Sequence, residues 1–144
     1  MASGVYVPNF EDVLETALAL NWGAEDLNWA LYNATRATSV DFNTESAYTT
    51  TNEIVGTGYT AGGKVVLGTA FSRPGGGVLR YSSDAVQWDN STLTGVRFID
   101  MYAPVVAGDP LMFGIDLVIG YNTSDGTLLV TPHANGLLTA DLVP

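Results

Sequence analysis

From Asp26 to the end of the chain, short alternating apolar runs recur, each closed by glycine, proline, asparagine or aspartate. This pattern constrains the fold more than any single motif. A strand sends successive side chains to opposite faces, so alternation marks a half-buried strand, and the punctuating residues mark turns. Over Asp26 to Thr35, Leu27, Trp29 and Leu31 alternate with Asn28, Ala30 and Tyr32. This predicts a strand with Trp29 and Leu31 buried and with Ala30 and Tyr32 half-buried on the other face. Lys64–Phe71, Val78–Tyr81, Asp84–Trp88, Leu93–Tyr102, Thr127–Thr131 and Leu137–Val143 read the same way. Leu111 to Tyr121 is continuously apolar except for Asp116, which predicts a central strand covered on both faces, or an interface strand. Pro74 with Gly75 to Gly77 reads as a wide hairpin turn. Asp89–Ser91, Ala107–Pro110 and Asn135–Gly136 read as turns, and Asn122–Gly126 as a hairpin. The expected fold is mainly β: a β-sandwich or barrel of about eight strands, in one domain spanning residues 1–144, with its strands within 27–143.

One short helix precedes the strands. Phe10, Val13, Leu14, Ala17 and Leu18 fall at helical spacing, which predicts a helix over Pro8–Leu20. Asn9 is placed to cap it, Glu11 and Asp12 favour its first turn, and Asn21 and Gly23 supply a stop. Its stripe either covers a sheet or docks onto a partner subunit. The arm before it, residues 1–7, is short and uncharged, and is expected to be either disordered or ordered only on assembly. Arg36 to Thr51 reads as a long Thr-, Ser- and Asn-rich connection, a length that often marks a functional or interface segment.

The densest glycine stretch is Asn52 to Lys64, with four glycines around Tyr59. It reads as a backbone-shaped crossing anchored by Tyr59. It does not follow a nucleotide-binding pattern, and neither does Pro74–Gly77, which lacks the Lys-Ser/Thr ending of a phosphate loop and opens no helix.

Composition narrows the function classes. Only 14% of residues are charged, well below the usual quarter or so, so much of the surface is Thr, Ser, Asn and Gly, as in proteins that pack against neighbours. Fifteen acids against five bases give a net charge of −10, which argues against nucleic acid as a partner. The absence of cysteine excludes disulfides and thiolate metal sites. No apolar run is long enough for a membrane helix, and the first residues do not read as a signal peptide, so a cytoplasmic site of synthesis is expected. His133 stands alone after Pro132 and reads as a loop histidine. Asp89, Asp109 and Asp125 sit in turns, where such side chains cap their own backbone. Asp41 and Glu45 lack a third ligand for a metal. Arg97 and Asp100 point to opposite faces of a regular strand, and Asp100, on the Val96 and Phe98 face, is expected at the strand end, reaching solvent or a backbone donor. Trp22, Trp29 and Trp88 form either core or a sugar-binding platform, so a carbohydrate-binding module stays open as an alternative. No catalytic, cofactor-binding or metal-binding residues are proposed.

Taken together, the order of parts resembles a group of small virion proteins of tailed bacteriophages. The likeness is carried by the Leu-rich helix, by Leu27-Asn28-Trp29-Ala30-Leu31, and by the segment Asn52 to Gly63. Further matches are Asp84 to Trp88, Gly95 to Tyr102 ending in tyrosine, and the closing pair Gly126 to Thr139. The turn at Gly75–Gly77 and the apolar run Leu111–Ile119 depart from the pattern. The resemblance implies a non-enzymatic structural protein, a capsid decoration or cement protein that sits on the virion surface and stabilises the shell. Its implied partners are the major capsid protein and copies of itself, in a trimer or other symmetric cluster. A tail or head–tail connector (neck) component is the alternative that the same resemblance allows.

Overall fold

A computed structural model describes residues 3–143. Among these residues the chain is mainly β, with ten strands in three antiparallel sheets and two short helices. In chain order these are β1 (Gly4–Val5), α1 (Val7–Leu14), β2 (Leu27–Tyr32), α2 (Ala34–Ser39), β3 (Lys64–Val66), β4 (Ala70–Gly75) and β5 (Val78–Ser82). The remaining strands are β6 (Val86–Ser91), β7 (Val96–Tyr102), β8 (Leu111–Tyr121), β9 (Gly126–Val130) and β10 (Leu138–Asp141). A five-stranded sheet has the order β1-β8-β7-β2-β3, a three-stranded sheet β10-β5-β4, and β6 pairs with β9.

All three sheets meet in one core. Leu27, Trp29 and Leu31 of β2, Ile99 and Met101 of β7 and Phe113 of β8 pack with Tyr81 of β5, Trp88 of β6 and Leu128 of β9. The opposite face of the five-stranded sheet is covered too. There Ala30, Tyr32, Phe98, Tyr102 and Leu111 form a second cluster with Tyr6, Ala37 and Val40. Trp29 and Leu31 are buried as their alternation predicts, but Ala30 and Tyr32 are fully buried and not half-buried, because α2 and the segment after it lie over them.

Several expectations are corrected. The helix is Val7–Leu14, not 8–20, because Thr16 takes a left-handed φ of 62° and the chain turns out of the helix. Asn9 does not cap it; the cap position is Tyr6, and the buried Asn9 amide donates to the carbonyls of Ser46 and Leu111. The arm 1–7 is ordered where it is described: Gly4–Val5 pairs with β8, while Met1 and Ala2 lie outside the described residues. The 36–51 connection is not structureless, since it begins within α2, whose N-terminus is capped by the Asn33 side chain through the Thr35 and Arg36 N–H groups. Lys64–Phe71 is two strands, split at Gly68, where a φ of 65° breaks the ladder. Asp89–Ser91 belongs to β6 and not to a turn, with Asn90 at a φ of 48° where the pairing with β9 slips. Asn122–Gly126 does not close a hairpin, because β8 and β9 belong to different sheets and the turn links them. β8 has the expected bounds, but only its first half is buried; Val118, Ile119 and Tyr121 are exposed. Val96 faces the main core and not the Phe98 side, because the β7–β8 register shifts between them.

Candidate interaction surface

The glycine segment forms a junction between sheets. From Glu53 it runs beside β2, where the Ile54 N–H donates to the Leu31 carbonyl at 2.8 Å. It then touches Thr92, just beyond β6, through a Thr57–Thr92 bridge, and returns to pair with β2 as β3. Glycine is required where backbones meet: a Cβ on Gly63 would stand 1.8 Å from the Trp29 carbonyl oxygen, and φ there is +76°.

Tyr59 anchors the crossing, as its position among glycines suggests. Its ring packs against the core near Trp88, its hydroxyl accepts the Leu31 N–H at 2.9 Å, and it donates to Glu53. Burial, with the Glu53 carboxylate beside it, raises the Tyr59 hydroxyl well above its ordinary pKa. Glu53 also accepts from the Tyr48 hydroxyl at 2.6 Å and from the Gly62 N–H at 2.7 Å. Nothing in the sequence singles out Glu53 for this role except that it is the one acid in the segment. Tyr59→Ala is expected to cost about 3 kcal/mol and Tyr59→Phe about 1–2 kcal/mol, the second from leaving the Leu31 N–H without an acceptor. Urea unfolding followed by tryptophan emission checks both, and wild-type stability in either variant would mean that Tyr59 is not an anchor.

Asp100 is the acid that sequence reasoning misplaced. It is fully buried, not at a strand end, and its partners are side chains. The Tyr6 hydroxyl donates to Oδ1, and Arg36 donates through Nε to Oδ2 at 2.9 Å. Arg36 also donates to Glu45 and to the Tyr6 hydroxyl, and lies 5.5 Å from the centre of the Tyr32 ring. Burial pushes Asp100 up to about 6, against the pull of Arg36 and the Tyr6 hydroxyl. The network joins the N-terminal arm, α2, the following loop and β7, so it is a clamp that holds one layer onto the sheet. As expected, Arg97 does not pair with Asp100; it pairs with Asp116, Nε to Oδ1 at 2.8 Å.

The other candidate residues have structural roles. Asp41 accepts from the Asn43 N–H and the Thr44 hydroxyl, and Glu45 accepts from Arg36 and the Asp41 N–H. His133 is exposed, and its Nδ1 accepts the Asn135 N–H within a turn. Trp22, Trp29 and Trp88 are all buried, so they offer no open face for a sugar ring. Among the described residues, no three His, Asp or Glu side chains come together as metal ligands.

What remains exposed and unusual is apolar. A groove of about 670 Å3 opens between α1 and the β10-β5-β4 sheet, lined by Phe10, Leu14, Leu20, Phe71, Leu79 and Leu142 among others. Trp22 underlies it, in ring contact with Phe10, Phe71, Tyr81 and Phe113. The helix stripe that the sequence offered as either sheet cover or docking face is divided: Val13 packs on the core, while Leu14 is 68% exposed at the groove. Contiguous apolar surface of this kind marks interaction sites in soluble proteins. No family model, curated protein or solved structure matches the chain.

Proposed function

We propose that this chain is a non-enzymatic structural protein of a tailed-phage particle, a capsid decoration or cement protein that packs on the major capsid lattice and stabilises it. The observation that carries the reading is the open apolar groove between α1 and the β10-β5-β4 sheet, a surface built for docking on a chain whose charge content is low. The resemblance of Asn52–Gly63 to the virion group points the same way, and the folded segment acts there as a scaffold joint. Glu53 and the Arg36–Asp100 pair are tied up in holding layers together, in keeping with a protein whose task is to persist in an assembly.

Purified protein added to capsids stripped of accessory proteins is expected to co-sediment with them to a saturating ratio set by the shell lattice, and to raise the temperature at which they release DNA. Leu14→Glu, at the exposed rim of the groove, is expected to weaken that binding by at least about tenfold. Absence of binding to the stripped shells would overturn the reading. Binding restricted to a single ring at the vertex or tail would move the protein to the neck or tail.

A further inference from the structure

Beside β8 the core is not filled to its margin. A cleft of about 280 Å3 lies between the core-facing side of β8 and the segment that leads from β9 to β10. Its side walls are Ile115 and Leu117 of β8, Val130 of β9, and Leu137 and Leu138, all half-buried and packed against the main core. Its inner wall is the buried pair Trp29 and Phe113, and its rim carries the exposed Ser3, Thr131 and His133. Protein interiors pack about as densely as organic crystals, so a space of this size against the core calls for an occupant. The inner wall also holds a polar group that the fold leaves unused. Trp29 is fully buried, and among the described residues its indole Nε1–H meets no acceptor. A buried donor without a partner is costly and rare in folded proteins. Trp29 has no way to turn that group to water, because β2 is paired on both sides of it, with Lys64 of β3 and Met101 of β7.

We infer that this cleft binds a small, neutral, largely apolar molecule with one hydrogen-bond acceptor, a carbonyl oxygen that accepts from Trp29 Nε1–H. The walls set the apolar part, since five aliphatic side chains and Phe113 surround the space. The single side-chain donor at the inner end sets the acceptor. Water suits that end poorly, because a buried water takes two to four polar partners and the side chains there offer one. Charge sets the neutrality. No lysine or arginine lines the cleft, and the chain carries a net charge of −10, so a carboxylate would be buried without a counterion in an acidic protein. Volume sets the size. A dry apolar cavity of about 150 Å3 takes benzene, so this one suits roughly ten to twelve non-hydrogen atoms, a monocyclic ketone or ester. The site is separate from the groove beside α1 and does not depend on what the protein docks onto.

Three probes of one shape test it: acetophenone, its hydrocarbon isostere α-methylstyrene, and benzoate. Each is titrated into the 15N-labelled full chain, and NMR follows the indole N–H signals of the three tryptophans, with Trp29→Phe assigning one of them. Acetophenone is expected to move the Trp29 signal downfield and to bind at least about tenfold more tightly than either of the others. Trp29→Phe keeps an aromatic wall but removes the donor, and is expected to lower acetophenone binding to the level of α-methylstyrene. Val130→Phe fills the cleft and leaves Trp29 in place. It is expected to lose both neutral probes, and it carries the test if Trp29→Phe does not fold. Equal affinity for acetophenone and α-methylstyrene, tighter binding of benzoate, or a Trp29 signal unmoved up to about 10 mM overturns the inference. Trp22, beneath the groove, also has an unpartnered Nε1–H, so a response confined to its signal would place the guest in the groove and overturn the site as well. Val130→Phe is expected to bind stripped capsids as the wild type does, so the ligand site and the virion reading stand or fall separately.

Discussion

Arg36→Met is expected to lower stability by about 3–5 kcal/mol at pH 8, and by progressively less as the pH falls. The reason is the company that Arg36 keeps. Asp100 has no exposure to solvent, and among the described residues Arg36 is its only cationic partner, 2.9 Å away. Methionine fills much of the space of the arginine stem but leaves the carboxylate with the Tyr6 hydroxyl alone. A buried charge left unpaired costs more than the pair itself contributes. The pH dependence follows from the direction of the Asp100 shift. Burial raises its folded pKa to about 6, above the ordinary value of 3.8, so the folded chain takes up this proton more readily than the unfolded one. Stability linked to this group is therefore fully present below pH 3.8 and is lost as the pH rises through about 6. Removing Arg36 raises that pKa further, extending the loss to higher pH and widening the gap from the wild type at pH 8. Chemical unfolding across the range from about pH 4 to pH 8 measures it. An equal loss at every pH would mean that Arg36 acts through packing alone. Arg36→Met/Asp100→Leu is expected to recover most of the loss, because it removes the stranded charge as well.

The contrast between this clamp and the strands shows what the chain makes legible. Alternation is local, so Leu27, Trp29 and Leu31 announced a buried strand face, and the run from Leu111 to Tyr121 announced β8 with its observed bounds. The clamp is not local. Arg36 and Asp100 are 64 positions apart, and Asp100 breaks an apolar face with nothing nearby to explain it. An acid in such a position signals a distant cation, and with only five bases in the chain Arg36 was among few candidates. Partner choice between strands was hidden for the same reason: Asn122–Gly126 has hairpin chemistry, yet long-range burial of Trp88 and Leu128 pairs β9 with β6. Helix α2 is six residues long, too short to show a period, and its cap, Asn33, lies inside the run read as strand. In α1 the apolar spacing continued past the point where Thr16 turns the backbone, so the stripe overstated the helix. The groove lies beyond sequence altogether, since it depends on Phe71, Leu79 and Leu142 arriving beside Phe10 and Leu14.

At the glycine segment, Gly63→Ala is expected to cost about 4 kcal/mol or more, a large part of the 5–15 kcal/mol that holds an ordinary domain together. Two costs combine. A residue with a Cβ at a φ of +76° is strained by about 1–2 kcal/mol. The Cβ would also stand 1.8 Å from the Trp29 oxygen and 2.8 Å from the Ala30 Cα, both backbone atoms of the inner strand β2. A side-chain tip can swing away from such a clash, but this backbone cannot, because β2 is held by β7 on one side and β3 on the other. The substituted chain must therefore give up the Trp29–Lys64 pairing and, with it, the return of the segment to the sheet. Gly76→Ala separates the two costs. Its φ is +62°, but a Cβ there meets nothing within 4 Å, so only the conformational strain of about 1–2 kcal/mol is expected. Urea unfolding of both variants, read by the buried tryptophans, makes the comparison. Equal losses at Gly63 and Gly76 would show that left-handed geometry alone demands glycine at both. The larger loss expected at Gly63 identifies the segment as the place where backbone packs on backbone, and makes its glycines a requirement of the sheet junction.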